Sequence, residues 1–325
     1  MRNLSAFFPS LTFNPSPSMI EGNLTVGGMT RTHLVNPTYA EVLPLIEKYQ
    51  LHEIIEWDFL DFTTQDKIDV YDDCIFLVMR FPKYNQTNKK HFANTMHAIL
   101  GKDFILTVTS YVTNNIQKIQ DTYRTELKEE DSEQFKLSPY YVLYKIIDAM
   151  YDKALSGLGK FSQDLVKIED NTLDSNAIDE ELLSELLMKK RNAILMKHIT
   201  TPHTEILSEL QTATVNFYEG DLDVYFEDLL YKTDKILSLI SIIKENTESL
   251  FDVSNTLTAL KTNKVISLLT IFTVILGILT RLSGMYGMNV DLPLQGHPWA
   301  FTLLCVFMIG AAMLTLRYFR KRKWF

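Results

Sequence analysis

Cysteine is almost missing from this chain: Cys74 and Cys305 are the only two among 325 residues, and they fall in segments of different character. No disulfide framework is expected, and a reducing compartment is the natural setting. Basic charge is also short, with 32 Lys and Arg against 40 Asp and Glu. That balance counts against a nucleic-acid partner, whose affinity comes largely from phosphate neutralisation. Nor does MRNLSAFFPSLTF carry an apolar run of signal length before Pro9, so no secretory signal is expected. Apolar residues, by contrast, make up 46% of the chain, which rules out wholesale disorder and allows one large or two ordinary domains.

Charge and hydropathy are unevenly spread. From Val265 onward there are six basic residues and one acid, Asp291, which leaves 26 basic and 39 acidic residues, net −13, before that point. Val265 to Val290 is a run of 26 residues with one charge, Arg281. As a helix it would rise roughly 39 Å, more than the ~30 Å hydrocarbon core of a bilayer. Trp299 to Leu316 adds 18 uncharged residues, followed by Arg317 and Arg320 to Lys323. Two such runs flanked by Trp299, Tyr318, Phe319 and Trp324 read as membrane spans rather than buried core helices. Lys261 and Lys264 precede the first and the basic cluster follows the second, whereas DLPLQGHP between them has no Lys or Arg. Both termini are therefore expected on the cytoplasmic side. Two helices cannot enclose a polar path, so conduction would require a ring of several chains.

The remainder divides in two. Lys67 to Tyr71 and Cys74 to Phe81 have the pattern of a hairpin, repeated by His91 to Leu100 and Phe104 to Ser110. A helix is expected over Pro37 to Tyr49, capped by Asn36. Beyond Ser138 the pattern is helical: Pro139 to Asp170, Ile178 to Ile199, a segment ending near Tyr218, and a long stretch from about Tyr225. No Pro interrupts Tyr225 to Asn289, and one helix of that length would be roughly 97 Å long. The expected organisation is a cytoplasmic α/β domain over 1–135 and a helical part over 136–222. A stalk helix continues into the first span over 223–290, with an external loop at 291–298. The second span covers 299–319 and a basic tail 320–325.

Several chemical signatures fail on spacing. SGLGKFS at Ser156 to Ser162 contains Gly159-Lys160, but a phosphate-binding loop needs Gly at 154, which is Ala, and the stretch lies in a helical pattern. His52-Glu53 is followed by Glu56, not a second His, and His91 and His97 have no third ligand nearby, so they read as ordinary strand or surface residues. Glu129, Glu130, Asp131 and Glu133 read as a solvated loop. The first span differs: Thr270, Thr273, Gly277, Thr280, Gly284 and Gly287 recur at spacings of three and four, on one side of a helix. Such a face serves close packing or lines a pore, and in a ring of identical helices it can do both.

Tyr286-Gly287-Met288-Asn289 stands at the end of that helix, before a short loop and the second span. Here the sequence resembles the CorA family of magnesium and divalent-cation channels, whose signature is Gly-Met-Asn between two C-terminal spans. Tyr225-Phe226-Glu227-Asp228 looks like the family's Tyr-Phe-x-Asp at the start of the stalk. Lys261-Thr262-Asn263 resembles its membrane entry, and Arg320 to Trp324 its basic tail. The likeness in motif covers 225 to 325.

The resemblance implies an α+β cytoplasmic domain, a long stalk helix and two transmembrane helices, mainly α overall, in a homopentamer of the inner membrane. It implies a selectivity filter of Gly287, Met288 and Asn289, and a pore lined by Asn263, Ile266, Thr270, Thr273, Gly277, Thr280 and Gly284. Asp228 is implied as a regulatory metal ligand whose partner acid the sequence does not identify. No cofactor is expected: Mg²⁺ is cargo and regulatory ligand, with Co²⁺ and Ni²⁺ as further cargo. The partners expected are other copies of the chain, divalent cations and lipid, and an enzyme is not expected. Ile278 stands where the family often has Pro, and Arg281 is an unusual charge, expected at the edge of the small-residue face. A zinc transporter of the same family and a non-conducting membrane scaffold are the alternatives.

Overall fold

The computed structural model describes residues 24–26, 29–111, 138–175, 180–289 and 297–322. The acidic run at 129–133, most of the loop after Asn289 and the last three residues of the basic tail lie outside them. The chain divides into two compact units, Met1–Lys167 with Glu185–Glu248, and Ile168–Ser184 with Ser249–Phe325.

The first unit is built on a six-stranded sheet of β1 (Leu24–Val26), β2 (Met29–Val35), β3 (Lys67–Val70), β4 (Ile75–Asn85), β5 (Lys90–Leu100) and β6 (Phe104–Thr109), in the order β1-β2-β6-β5-β4-β3. Every pairing is antiparallel except β2 with β6. Both expected hairpins form. They are joined by a longer one, β4 with β5, paired from Ile75↔Leu100 to Asn85↔Lys90. Its turn is closed by side chains: the Asn85 carboxamide accepts from the Thr87 amide at 2.9 Å and that of Asn88 from the Lys90 amide at 3.1 Å.

One sheet face carries Leu34, Phe76, Val78, Ile99, Leu106 and Val108 against α1 (Tyr39–Tyr49) and α2 (Glu53–Asp58), which contribute Val42, Ile46 and Ile55. The expected cap of α1 is corrected. Thr38, not Asn36, is the N-cap: the Glu41 carboxylate accepts from the Thr38 amide and hydroxyl, both at 2.8 Å, and Glu41 sits at the third helical position. Asn36 instead turns the chain out of β2 with a φ of 43°, and the helix begins two residues later than Pro37.

Helices α3 (Pro139–Ser175), α4 (Glu180–Thr200), α5 (His203–Thr214) and α6 (Asp223–Tyr286) follow. Ser138 caps α3, its hydroxyl accepting from the Tyr141 amide at 3.1 Å. Asn192 on α4 clasps the long hairpin near its turn, accepting from the His91 amide and donating to the Lys89 carbonyl, both at 3.0 Å. A buried polar knot ties β4 to α3 and α5. The Asp66 carboxylate, fully buried, takes the Arg80 amide at 2.6 Å and its guanidinium Nε at 2.7 Å. His203 Nε2 lies 2.9 Å from the Arg80 carbonyl, an acceptor, so Nε2 carries a proton, and Nδ1 lies 3.0 Å from the Tyr151 hydroxyl. Burial works against the Asp66 charge, but His203 and Arg80 outweigh it and hold the carboxyl below its ordinary range.

Within this unit α6 buries Phe226, Leu229, Thr233, Ile236, Ile240, Ile243 and Thr247, spaced alternately by three and four residues. The same helix then enters the second unit and its surroundings reverse. Leu269 is 67% exposed and Phe272 66%; on α7 (Ala300–Lys321) Phe301 is 76% and Leu314 70% exposed. Both helices are long and apolar enough to cross a membrane.

Candidate functional site

Apolar side chains left open along two helices lose nothing in hydrocarbon and a great deal in water, about 25 cal/mol per Å². The open faces of α6 and α7 are therefore the faces a bilayer or another apolar surface would cover. Within the span α6 has two sides. Ile271 is buried, and Ile275, Ile278, Leu279 and Leu282 are half-buried. Thr273, Gly277, Thr280 and Gly284 lie on the exposed side, as do Asn263 and Ile266 nearer the membrane entry. Of the pore-lining set read from the sequence only Thr270 is partly covered. A Cβ added at Gly277 or Gly284 would meet nothing within 4 Å, so no packing within the chain requires either glycine.

The threonines of this side are neutral. The Thr270 and Thr273 hydroxyls each donate to the carbonyl four residues earlier, Ile266 and Leu269, at 2.8 Å. This satisfies the donor and leaves the oxygen lone pairs facing outward. Arg281 is exposed, close by helical angle to Gly277 and Gly284. Helix α6 stops at Tyr286, and the Gly287 and Met288 amides bond back to the Ser283 and Met285 carbonyls at 3.0 and 3.4 Å. Gly287 is tight: a Cβ there would lie 3.3 Å from the Ser283 carbonyl oxygen. Exposed Met288 and Asn289 come directly after this turn. The carbonyl end of a helix carries roughly half a negative charge, so Asn289 sits where a cation is favoured without a carboxylate. Among the described residues no group of three or more His, Cys, Asp or Glu is arranged to hold a metal. What this end of α6 offers is neutral oxygen, suited to an ion that keeps its water.

Asp228 lies in the first unit, and the structure supplies neighbours that the sequence reading did not find. Lys232, one turn on, ion-pairs with Asp148 of α3, with Asp152 at 2.9 Å and with Asp228 at 3.9 Å, while the Tyr144 hydroxyl donates to Asp228 at 3.4 Å. Burial would weaken the Lys232 charge, but Asp148 and Asp152 more than offset it and hold the ammonium above its usual range. The partner of Asp228 within one chain is thus a base. The signal was present in the acid-to-lysine spacing of four residues on one helix.

His91 and His97 are strand residues of β5, as expected. Burial pushes His91 down to about 4, helped by Lys189 and opposed by Asn192. Burial lowers His97 too, opposed by the Phe59 carbonyl, 2.8 Å from its ring nitrogen. SGLGKFS lies in the middle of α3, where backbone amides are committed to the helix and cannot cradle a phosphate.

The sequence model of the family described as CorA-like Mg²⁺ transporter protein matches residues 28–321. The cobalt/magnesium transport protein CorA of Thermotoga maritima is 25% identical over 279 residues, 86% of this chain and 78% of that protein. The complete structure of the CorA magnesium transporter from Methanocaldococcus jannaschii superposes with a TM-score of 0.78 at 19% identity, over 94% of this chain and 95% of that one. The cytoplasmic domain of ZntB from Vibrio parahaemolyticus superposes less closely, with a TM-score of 0.56 at 12% identity, over 71% of this chain and 88% of that one.

Proposed function

The chain belongs to the CorA-like Mg²⁺ transporter family, and from that premise we propose that it is a homopentameric, potential-driven channel carrying Mg²⁺ inward across the inner membrane, selected by a ring of Asn289. Members of this family are membrane transporters of divalent cations, not enzymes. The observation that carries the finer reading is the small-residue side of α6, open along its length and ending in exposed Asn289. Five such helices with these sides inward would both pack and leave a lumen. Each Asn289 would turn a carboxamide oxygen toward a hydrated ion, and Gly287 with Met288 would shape the ring.

Mg²⁺ sheds water reluctantly, so a ring of neutral oxygens as wide as its hydration shell holds it without the dehydration cost that a carboxylate cage would demand. Two charges moving inward gain about 4.6 kcal/mol per 100 mV of inside-negative potential, and no chemical fuel is needed. Co²⁺ stands beside Mg²⁺ as cargo because the Thermotoga maritima relative is named a cobalt/magnesium transport protein; Ni²⁺ follows by chemical likeness. The likeness to ZntB is one of fold alone, so zinc is the second choice. The basic flanks support a cytoplasmic side for both termini. Asp228 remains the proposed regulatory ligand, with the difference that an entering divalent cation would compete with the Lys232 ammonium for its carboxylate.

Flux into liposomes tests this. Mg²⁺ and Zn²⁺ entry is measured with and without an imposed inside-negative potential, for wild type, Asn289→Ala and Arg281→Ala. The potential should accelerate wild-type Mg²⁺ entry and Asn289→Ala should lose it. Equal flux in the two proteins removes the filter, and no flux from folded wild type leaves the scaffold reading.

A further inference from the structure

An acidic body makes a basic cavity conspicuous. In the first unit, between the long β4–β5 hairpin and the middle of α3, lies a cavity of about 390 Å³, within the range of small-molecule sites. Three lysines line it, Lys83 from β4 and Lys153 and Lys160 from α3, and among the described lining residues there is no carboxylate. Its floor is apolar, made by Met150, Leu158, Met196, Ile236 and Ile240. Tyr84 and His91, with rings 5.0 Å apart, stand beside the lysines. Burial holds His91 neutral at physiological pH, so the positive charge of the site belongs to the lysines.

Three features point to an anion. Lys153 and Lys160 have no ion-pair partner among the described residues, although the unit is rich in Asp and Glu. Lys83, whose ammonium lies 5.4 Å from the centre of the Tyr111 ring, is pushed below its usual range by burial and by the neighbouring charge of Lys153; an anion between the two would relieve that repulsion. Gly157 is the third. It lies one turn after Lys153 and one before Lys160, lines the same cavity, and a Cβ there would meet nothing within 4 Å. Mid-helix glycine costs about 1 kcal/mol against alanine, and no packing neighbour within the chain requires it, so its effect is to keep the space between the two lysines open.

We propose that this cavity binds a phosphorylated small molecule of nucleotide size, its phosphates held by Lys83, Lys153 and Lys160 and its planar part laid on the apolar floor. The site works through lysine side chains rather than backbone amides, and it binds without hydrolysing. An apolar floor beside a cationic rim matches a ligand with both a charged and a planar apolar end, and it would discriminate against bare phosphate.

The test is titration calorimetry on the full-length protein in detergent, at low and moderate salt, with ATP in EDTA, AMP, inorganic triphosphate and inorganic phosphate as probes. ATP should bind more tightly than any of the other three, and more weakly as salt rises. Lys153→Glu with Lys160→Glu, both exposed and therefore tolerated by the fold, should weaken ATP at least tenfold. Gly157→Leu should abolish binding while its melting temperature stays at or above that of wild type, because it improves the helix while filling the opening. No ATP heat from folded wild type, or equal affinity in the double variant, overturns the proposal. Triphosphate binding as tightly as ATP overturns the nucleotide-sized ligand, since the floor would then be idle.

Discussion

Helix α6 runs through two environments, and its threonines show the difference. Thr233 and Thr247 donate to the carbonyls four residues earlier at 2.9 and 2.7 Å, and Thr270 and Thr273 do the same at 2.8 Å. The bond is the same; the surroundings are opposite. Thr233 and Thr247 are buried beside Leu229, Ile236, Ile240 and Ile243, whereas around Thr273 the apolar Leu269 and Phe272 are two-thirds exposed. A helix can satisfy its own hydroxyls anywhere, so hydrogen bonding does not tell a core face from an open one. What tells them apart is whether the rest of the chain covers the face. In the first unit the chain completes its own core. In the second it leaves apolar faces open that a bilayer or another apolar surface would cover.

The largest effect expected from breaking this contrast is in the first unit. Asp66→Ala leaves the Arg80 guanidinium and His203 without their buried carboxylate and should cost about 3–5 kcal/mol, read as a lower melting temperature of the full chain. Mutations on the open face of α6, which the chain itself does not cover, should change that temperature far less.

Acid should act on the same unit. His33 is held to about 3 by burial and the Arg31 charge, and His91 to about 4. Because these folded-state values lie below 6.5, the unfolded chain binds the proton first. The stability they contribute is therefore complete above about pH 6.5 and falls as pH drops toward 4. Between about pH 7 and pH 5 each histidine should cost roughly 2 kcal/mol. Denaturation measured across that range should flatten in His91→Gln.

In the second unit the readout is flux, not stability. Asn289→Ala should lower Mg²⁺ entry by about tenfold or more, a barrier change of roughly 1.4 kcal/mol, with an unchanged melting temperature; a fall in stability would mean that Asn289 belongs to a packed region after all. The smallest expected effect is at the Lys232 cluster. Lys232→Gln should destabilise the first unit by about 1 kcal/mol, and added Mg²⁺ should restore the loss, because three carboxylates would have lost their ammonium. Failure of Mg²⁺ to restore it would separate this cluster from divalent-cation regulation.

Much of this was legible along the chain because its signals are local. The spans, the unbroken α6, the small-residue side and Gly287-Met288-Asn289 rest on runs and spacings within one helix. The hairpins β3–β4 and β5–β6 were legible for the same reason. Strand β2 was not: Met29 to Val35 reads MTRTHLV, and nothing local shows that Arg31 and His33 are buried, with His33 sharing a hydrogen bond with Thr107 at 2.9 Å across a parallel pair. The pairing of β4 past Pro82 and Tyr84 was also hidden, because it depends on β5 and on Asn192, a hundred residues away. Thr38 displaced Asn36 as a cap because the decisive group was the Glu41 carboxylate, three residues on. Lys232 was overlooked beside Asp228, since two of its three carboxylates come from α3.

The sequence by itself determined which segments can cross a membrane, which side of α6 is small and polar, and that Gly287-Met288-Asn289 stands near its end. These are properties of length, period and residue type, and a helix fixes them without help. Only the tertiary structure decided which faces the chain covers for itself, which acids Lys232 neutralises, and that Lys83, Lys153 and Lys160 converge on one cavity. Those depend on residues far apart in the chain meeting at a few ångströms, and no local pattern encodes such a meeting.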